Sequence, residues 1–595
     1  MRVSATDADE SYFVAGNVLA RGRYLDGDHV EATLTTRRGR VSVESISVLR
    51  RSRRLIFGVV NANKTLRVDP WVSLSAWPIG DLGGAQAGDA AMCIVQSGHV
   101  AVHATFGPSD SVEALVERAK CRSGLSDVLY EVARLGSGDE TESRGEDRRR
   151  VEEVVFTIDG PTSRDLDDAL SCRTLSNGNV VLSVHIADVA SKVPLGSSRD
   201  RRARKLGSST YLPGQVLPMF DEALSYDTCS LLAGVERDCL SVDLEIDHSG
   251  EVLSSEIYPS RIRSNAQLTY RQVAAYLEGG VSLGERDLEA AVSKTHEVTT
   301  WLKGRRALRG RDTTTRDGVL LGVVGGVVEV VEDDASEVAH DLIEEAMICA
   351  NEAVARFLVE HGVAAVFRTH DAPGSDARAA LEYVCAAYGL DPLDGDVLSL
   401  KVIEGIEHQL RIRGEAPRVV RDVLRGRTLR ATYESCVGGH YGLASDAYVH
   451  FTSPIRRYAD LSVHRVVRSL LSGNDGQSAD DFDRLCAELN EATSRCARAE
   501  RYANALLWAK WLGEHYETGS VLGGHIVRLG TKGALVRLDV ADVSGWVAPG
   551  AASSYSVDEY GLVLSAETTT WRLGERLSVT LGRIDGETGD VELSV

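Results

Sequence analysis

The stretch VVFTIDGPTSRDLDDALSCR, residues 154–173, decides how the rest of the chain is read. An apolar, strand-like run ends at Asp159-Gly160-Pro161, a turn signal. Asp165, Asp167 and Asp168 follow, giving the pattern D-x5-D-x-D-D. Carboxylates this close repel one another unless a cation lies between them. Hard oxygen ligands suit Mg²⁺ or Mn²⁺, which take one or two carboxylates and complete their shell with substrate phosphate and water. Two such ions, about 3.5–4 Å apart, activate an attacking water and stabilise a leaving 3′ oxygen. A solvated acidic loop is the commoner fate of an Asp-rich stretch. An EF-hand is disfavoured, because no glutamate stands at the loop's twelfth position.

A second stretch, AYVHFTSPIRRYADLSVHRVV (447–467), shifts the balance towards catalysis. It brings Thr452, Ser453, Arg456, Arg457, Tyr458, His464 and Arg465 together. Pro454 is placed to open a helix at its first position. Backbone N–H groups and Arg456 would then face a phosphate together. Either arginine alone reads as the polar face of an amphipathic helix. Matched to an upstream acidic cluster, the stretch is much less easily read as surface.

Outward from these motifs, the 595 residues exceed one hydrophobic core, so several domains are expected. Residues 1–54 alternate in strand fashion (HVEATLTT, RVSVESISVL) and end in the basic patch Arg50, Arg51, Arg53 and Arg54. Residues 55–110 are again β-rich, and both segments fit small OB-type barrels. A helical period covers 111–135, and GSGDETESRGEDRRR (136–150) reads as a charged linker with nothing apolar to bury. Residues 151–515 form one large mixed α/β segment, with long helical patterns at 340–361 and 478–516. From 516 to 595 the signals are β again, with the character of a third OB barrel. OB barrels hold single strands through aromatic platforms and basic grooves.

The net charge of −21 argues against a uniformly basic nucleic-acid binder, although a basic groove can lie inside an acidic shell. Arginine far outnumbers lysine among the 66 basic residues. No window approaches the roughly 18 apolar residues of a membrane span. The N-terminus lacks a signal-peptide core, and the ten cysteines never form a CxxC pair. Reduced thiols in a cytoplasmic protein are expected.

At TIDGPTSRDLDDAL and HFTSPIRRYADLSVHR the sequence resembles the ribonuclease II / ribonuclease R family, whose catalytic unit is the RNB domain. VHIADVA (184–190), SSTYLPGQVLPMFDEALSYDTCSL (208–231), RIRSNAQLTYRQV (261–273), HDLIEEAMICANEAVA (340–355) and FRTHDAP (367–373) follow in the family's order. The resemblance runs through most of 151–470. It implies a multidomain α+β fold: two cold-shock-like OB barrels, a mixed α/β RNB domain and an S1-type barrel. It also implies residue roles. Asp159 and Asp168 match metal-binding aspartates, supported by Asp165. Asp167 matches the aspartate on which catalysis depends most. Arg456 matches an arginine at the scissile phosphate. Tyr211 and Phe367 match two aromatics that clamp the terminal bases, and Tyr270 matches a further tyrosine near the RNA end.

The implied activity is processive 3′-to-5′ hydrolysis of single-stranded RNA to nucleoside 5′-monophosphates in RNA turnover, with Mg²⁺ or Mn²⁺, by a monomer. Two departures stand out. Met219-Phe220-Asp221 lacks a proline usual after YLP, and Arg202 stands where an acid is common. The long lysine-rich tail of many ribonuclease R members and their appended N-terminal domain are not seen, so efficient attack on duplex RNA is not expected. Two rival readings exist. A catalytically silent RNA-binding protein is disfavoured by the presence of all four aspartates. A magnesium phosphohydrolase acting on DNA or small phosphodiesters is disfavoured by the flanking barrels.

Overall fold

A computed structural model describes residues 2–4, 11–14, 18, 22–37, 40–135, 147–310, 320–331, 337–393, 395, 398–473, 479–550, 554–567 and 569–595. The centre is a seven-stranded sheet of β6 (Arg149–Arg150), β7 (Phe156–Asp159), β8 (Asp168–Thr174), β9 (Val180–Ala187), β10 (Glu236–Ile246), β11 (Val252–Arg263) and β12 (Ala266–Thr269). Its spatial order is β6-β11-β10-β9-β8-β7-β12. The pairs are antiparallel except β6 with β11 and β7 with β12.

VVLSVHIA in β9 is buried from end to end, because neighbouring strands and helices cover both its faces. His185 lies inside it between the hydroxyls of Ser171 (2.9 Å) and Ser241 (2.7 Å). Burial pushes its pKa down to about 4, so it is a neutral core residue.

Five strands ahead of the sheet, β1 (Leu55–Val60), β2 (Thr65–Val68), β3 (Ala76–Asp81), β4 (Asp89–Val95) and β5 (Val100–Pro108), close into a barrel in the order β1-β2-β3-β5-β4. Among the described residues of 1–54, the strands pair as two ladders, Arg2–Ser4 with Ser11–Phe13 and His29–Arg37 with Arg40–Arg50, and a parallel bridge from Val14 to Val43 joins them. The closed barrel expected there is not seen among them. At the other end of the chain, five strands between Val521 and Ser594 form a sheet whose edge strands pack together, with a three-stranded sheet alongside.

Most of the charged linker, 136–146, lies outside the described residues. Its last residues depart from expectation. Arg149 and Arg150 form β6, and the Arg148 guanidinium is buried against Asp188 at 2.6 Å. A buried carboxylate draws this arginine inward, and the backbone follows it into the sheet.

The helices that matter below are α1 (Val112–Ser123), α2 (Leu125–Val132), α3 (Ser198–Leu206), α4 (Tyr270–Gly279), α5 (Arg286–Ala307), α6 (Glu337–Glu360), α7 (Tyr458–Leu471) and α8 (Ala479–His515). The barrel, α1 and the C-terminal sheet meet at an ionic junction. Asp69 lies 3.0 Å from Arg122 and 3.8 Å from Arg118, all three buried. Glu587 joins from the last hairpin, pairing with Arg67 and, at 3.8 Å, with Arg118, while its carbonyl accepts from Arg122.

Phe367 is the clearest correction to the sequence reading. It opens the short strand Phe367–Thr369 and is 2% exposed, inside the central core behind Ala365 and Val366. A ring packed on all sides has no face to offer a stacked base. Phe367→Ala is therefore expected to cost about 3–5 kcal/mol of stability, read as a lowered denaturation midpoint. RNA affinity of the folded fraction should stay close to the parent's.

Candidate active site

Strand geometry assembles the acidic cluster. β7 ends at Asp159, the loop crosses back, and β8 begins at Asp168, which pairs with Ile186 of β9. Ser230 fixes the loop from below: its hydroxyl accepts from Leu166 N–H at 3.1 Å and donates to the Arg164 carbonyl at 2.7 Å. The Asp167 carbonyl accepts from Ala187 N–H at 2.9 Å. The four aspartates thus come together at one end of the sheet, Asp167 buried and the other three half-buried.

Asp167 is 3% exposed. One of its oxygens accepts the Ile455 N–H at 2.8 Å; the other, Oδ2, has no hydrogen-bond partner and lies 3.7 Å from Arg456 Nε. The second motif therefore reaches the first through backbone as well as side chain. Helix α7 starts at Tyr458, not at Pro454 as expected from sequence. The cause is Asp460, whose Oδ1 accepts the Ser453 N–H at 2.7 Å while both its oxygens hold Arg457. That arrangement keeps 453–457 as a turn and aims the Ile455 N–H at Asp167. Arg456 is left 41% exposed, with one nitrogen on the Ser453 hydroxyl at 2.9 Å.

Burial raises the pKa values of Asp159, Asp167 and Asp168. Burial, then the charge of Asp168, lifts Asp159 to about 7. Burial lifts Asp168 to about 6, against the pull of Arg456 and Arg457. Asp167 is also raised by burial, opposed first by Arg456. Asp159 Oδ2, like Asp167 Oδ2, is buried without a partner. Orphaned oxygens on carboxylates that resist ionisation are what a cation would satisfy. Among the described residues no three Asp, Glu, His or Cys side chains converge closely enough to hold an ion unaided. This donor set fits an ion whose shell is completed by a phosphate and water.

The aromatic residues separate. Tyr211 is 44% exposed, and its hydroxyl donates to Asp165 Oδ2 at 3.3 Å, so its ring stands beside the acids. Tyr270 is the first residue of α4, fixed by a capping box between Thr269 and Gln272. Thr269 is in register with Asp159 across β12 and β7, which brings Tyr270 to the cluster. One face of its ring is already stacked on His340, centroids 4.0 Å apart. Phe367, in the core, does not join them. Glu500 of α8 was missed from sequence: its carboxylate accepts the Tyr211 N–H at 3.2 Å. One acid in a charge-alternating helix gives no local signal of such a contact.

The RNB domain family model matches residues 148–473. Ribonuclease R of Thermotoga maritima is 32% identical over 455 residues, covering 74% of this chain and 64% of that protein. Ribonuclease R of Escherichia coli is 32% identical over 458 residues, covering 74% and 56%. The chain thus spans less than two thirds of the length of these curated relatives. The solved structure of Mycoplasma genitalium RNase R in complex with ribose methylated single-stranded RNA shares the fold, with a TM-score of 0.86 at 22% identity, over 100% of this chain and 98% of that one. The chain belongs to the ribonuclease II / ribonuclease R family, built on the RNB domain.

Proposed function

We propose that the protein is a processive exoribonuclease that removes nucleotides hydrolytically from the 3′ end of single-stranded RNA, releasing nucleoside 5′-monophosphates. The observation that carries this reading is the Asp167 carboxylate, with one oxygen held by Ile455 N–H and the other unpaired beside Arg456. A fixed, buried acceptor next to an accessible guanidinium suits a water attacking a phosphodiester. Asp167 Oδ2 orients that water and accepts its hydrogen bond. Arg456 binds the non-bridging phosphate oxygens and meets the charge that grows on them. Tyr211 stacks the terminal base, a contact indifferent to sequence. Its bond to Asp165 fixes the ring relative to the acids.

Asp159 and Asp168, with Asp165 in support, would hold Mg²⁺ or Mn²⁺, which supplies Lewis-acid stabilisation of the phosphate and favours a nucleophilic water. Among the described residues no helix is long and apolar enough to cross a membrane. The proposed setting is the cytoplasm, with the protein acting as a monomer in RNA turnover.

The test is a 5′-labelled single-stranded RNA incubated with Mg²⁺, with EDTA and beside a DNA oligomer of the same sequence. A Mg²⁺-dependent ladder shortening from the 3′ end of RNA alone is expected. Asp167→Asn keeps the Ile455 contact and should slow the reaction by about 10²–10⁴-fold. An unreactive parent protein, or a variant as fast as the parent, sinks the proposal. Tyr211→Ala should weaken binding of the RNA end by about 1–3 kcal/mol in filter-binding assays with the Asp167→Asn background.

The acids also predict a pH dependence. Unfolded aspartates titrate near 4, whereas native Asp159 and Asp168 hold protons to about 7 and about 6. Between those values the native state binds more protons, so these groups make the ion-free protein less stable as pH rises. The fall in Tm from pH 5 to pH 8 should be steeper in the parent than in Asp159→Asn. Saturating Mg²⁺ at pH 8 should raise Tm in the parent and much less in the variant; identical profiles would refute the assignment.

A further inference from the structure

SRDRRARKL (198–206) folds as α3 and carries Arg199, Arg201, Arg202, Arg204 and Lys205 beside one acid. In a chain of net charge −21 this concentration of cations needs an explanation. Three of the five have acidic partners: Arg199 meets Asp221 at 2.8 Å, Lys205 meets Glu131 at 2.7 Å and Arg204 meets Glu488 at 2.6 Å. Glu488 is shared, since Arg484 of α8 reaches it at 2.9 Å. Among the described residues Arg201 bonds the Gly196 carbonyl alone. Among the described residues no carboxylate pairs with Arg201 or Arg202. The helix's own acid, Asp200, is buried and held by the Tyr458 hydroxyl (2.7 Å) and Arg465 (2.7 Å).

Arg201, Arg204 and Arg484 therefore have one carboxylate among them, and they form the wall common to two adjoining pockets of about 320 and 520 Å³. Tyr458 and Arg465 also line the smaller pocket, Leu195 and Leu485 give it an apolar side, and its acids are Asp481 and Asp200, the latter held by Tyr458 and Arg465; Glu131, Glu488 and Glu491 line the larger pocket. Convergent guanidiniums are suited to bidentate phosphate binding, and the volumes fall in the range of small-ligand sites.

The pockets lie away from the acidic cluster but touch its supports. Gly207 caps α3 with φ +74°, where a Cβ would meet that of Ala492 at 2.6 Å. Its carbonyl accepts Tyr458 N–H at 3.0 Å, and Ser209 N–H donates to the Arg456 carbonyl at 2.9 Å.

We propose that this arginine-walled pocket between α3 and α8 is a second, non-catalytic site for a phosphate-monoester dianion, either a free nucleoside 5′-monophosphate or inorganic phosphate. The arginines take the phosphate and the apolar side takes the nucleoside. The site does not depend on the nuclease reading, because binding requires no turnover.

Calorimetric titration of the full chain with AMP, inorganic phosphate, adenosine and a 12-nucleotide RNA tests it. AMP is expected to bind the parent and Arg456→Ala alike, and to bind Arg201→Ala/Arg484→Ala at least about tenfold more weakly. Inorganic phosphate binding as well as AMP would assign the site to phosphate itself; weaker phosphate binding would assign it to the nucleotide. Arg201→Lys/Arg484→Lys, which keeps the charge, controls for folding and should bind with intermediate affinity. Equal AMP affinity in the parent and the alanine variant overturns the proposal. So does adenosine binding as tightly as AMP, or a variant that loses only the RNA 12-mer.

Discussion

A carboxylate taken out of water must have each oxygen answered or it resists ionisation. At Asp167 the Ile455 N–H answers one oxygen, and the Arg456 guanidinium stands near the other. This contact joins segments 288 residues apart and sets where both can lie. It needs the 453–457 turn, which needs Asp460 to hold Ser453 and Arg457. It also needs the start of β8 to be fixed, which the bond from Ala187 N–H to the Asp167 carbonyl provides. The supports of that single carboxylate thus extend through the sheet and into the start of α7.

The same economy recurs at Asp188. Its buried carboxylate takes Arg148 from the end of the linker and Arg468 from α7. Two distant pieces of chain are pinned to the turn after β9. Such pairs cost desolvation and specify geometry rather than add much stability. Around a site where the distance between a carboxylate and a guanidinium matters, that is a reasonable use of buried charge.

Much of this was legible in the sequence, for identifiable reasons. The four aspartates stand out because D-x5-D-x-D-D is local, and strand pairing brings a local pattern together. The long helices were legible from a 3.6-residue period, and 340–361 lies within α6 apart from its final residue. Tyr211 could be read only through its motif. Phe367 could not be read correctly even so, because an aromatic after AAV looks the same whether its ring faces a ligand or a core. The start of α7 was misplaced because proline suggested a helix that Asp460, six residues further on, prevents. Glu500 was invisible because its partner is a backbone N–H 289 residues away. Alternation showed the strands of 1–54.

The junction of Asp69, Arg118, Arg122 and Glu587 bears on modularity. Small β-barrels are commonly treated as beads that can be exchanged between proteins. Here the last hairpin supplies acceptors for two guanidiniums buried beside the other barrel. Grafting a foreign barrel in its place would leave those donors facing whatever backbone arrived, with Asp69 alone to satisfy both. The barrel and the last hairpin are therefore constrained as a matched pair, and a graft must return backbone carbonyls where those of Glu587 and Thr588 now stand.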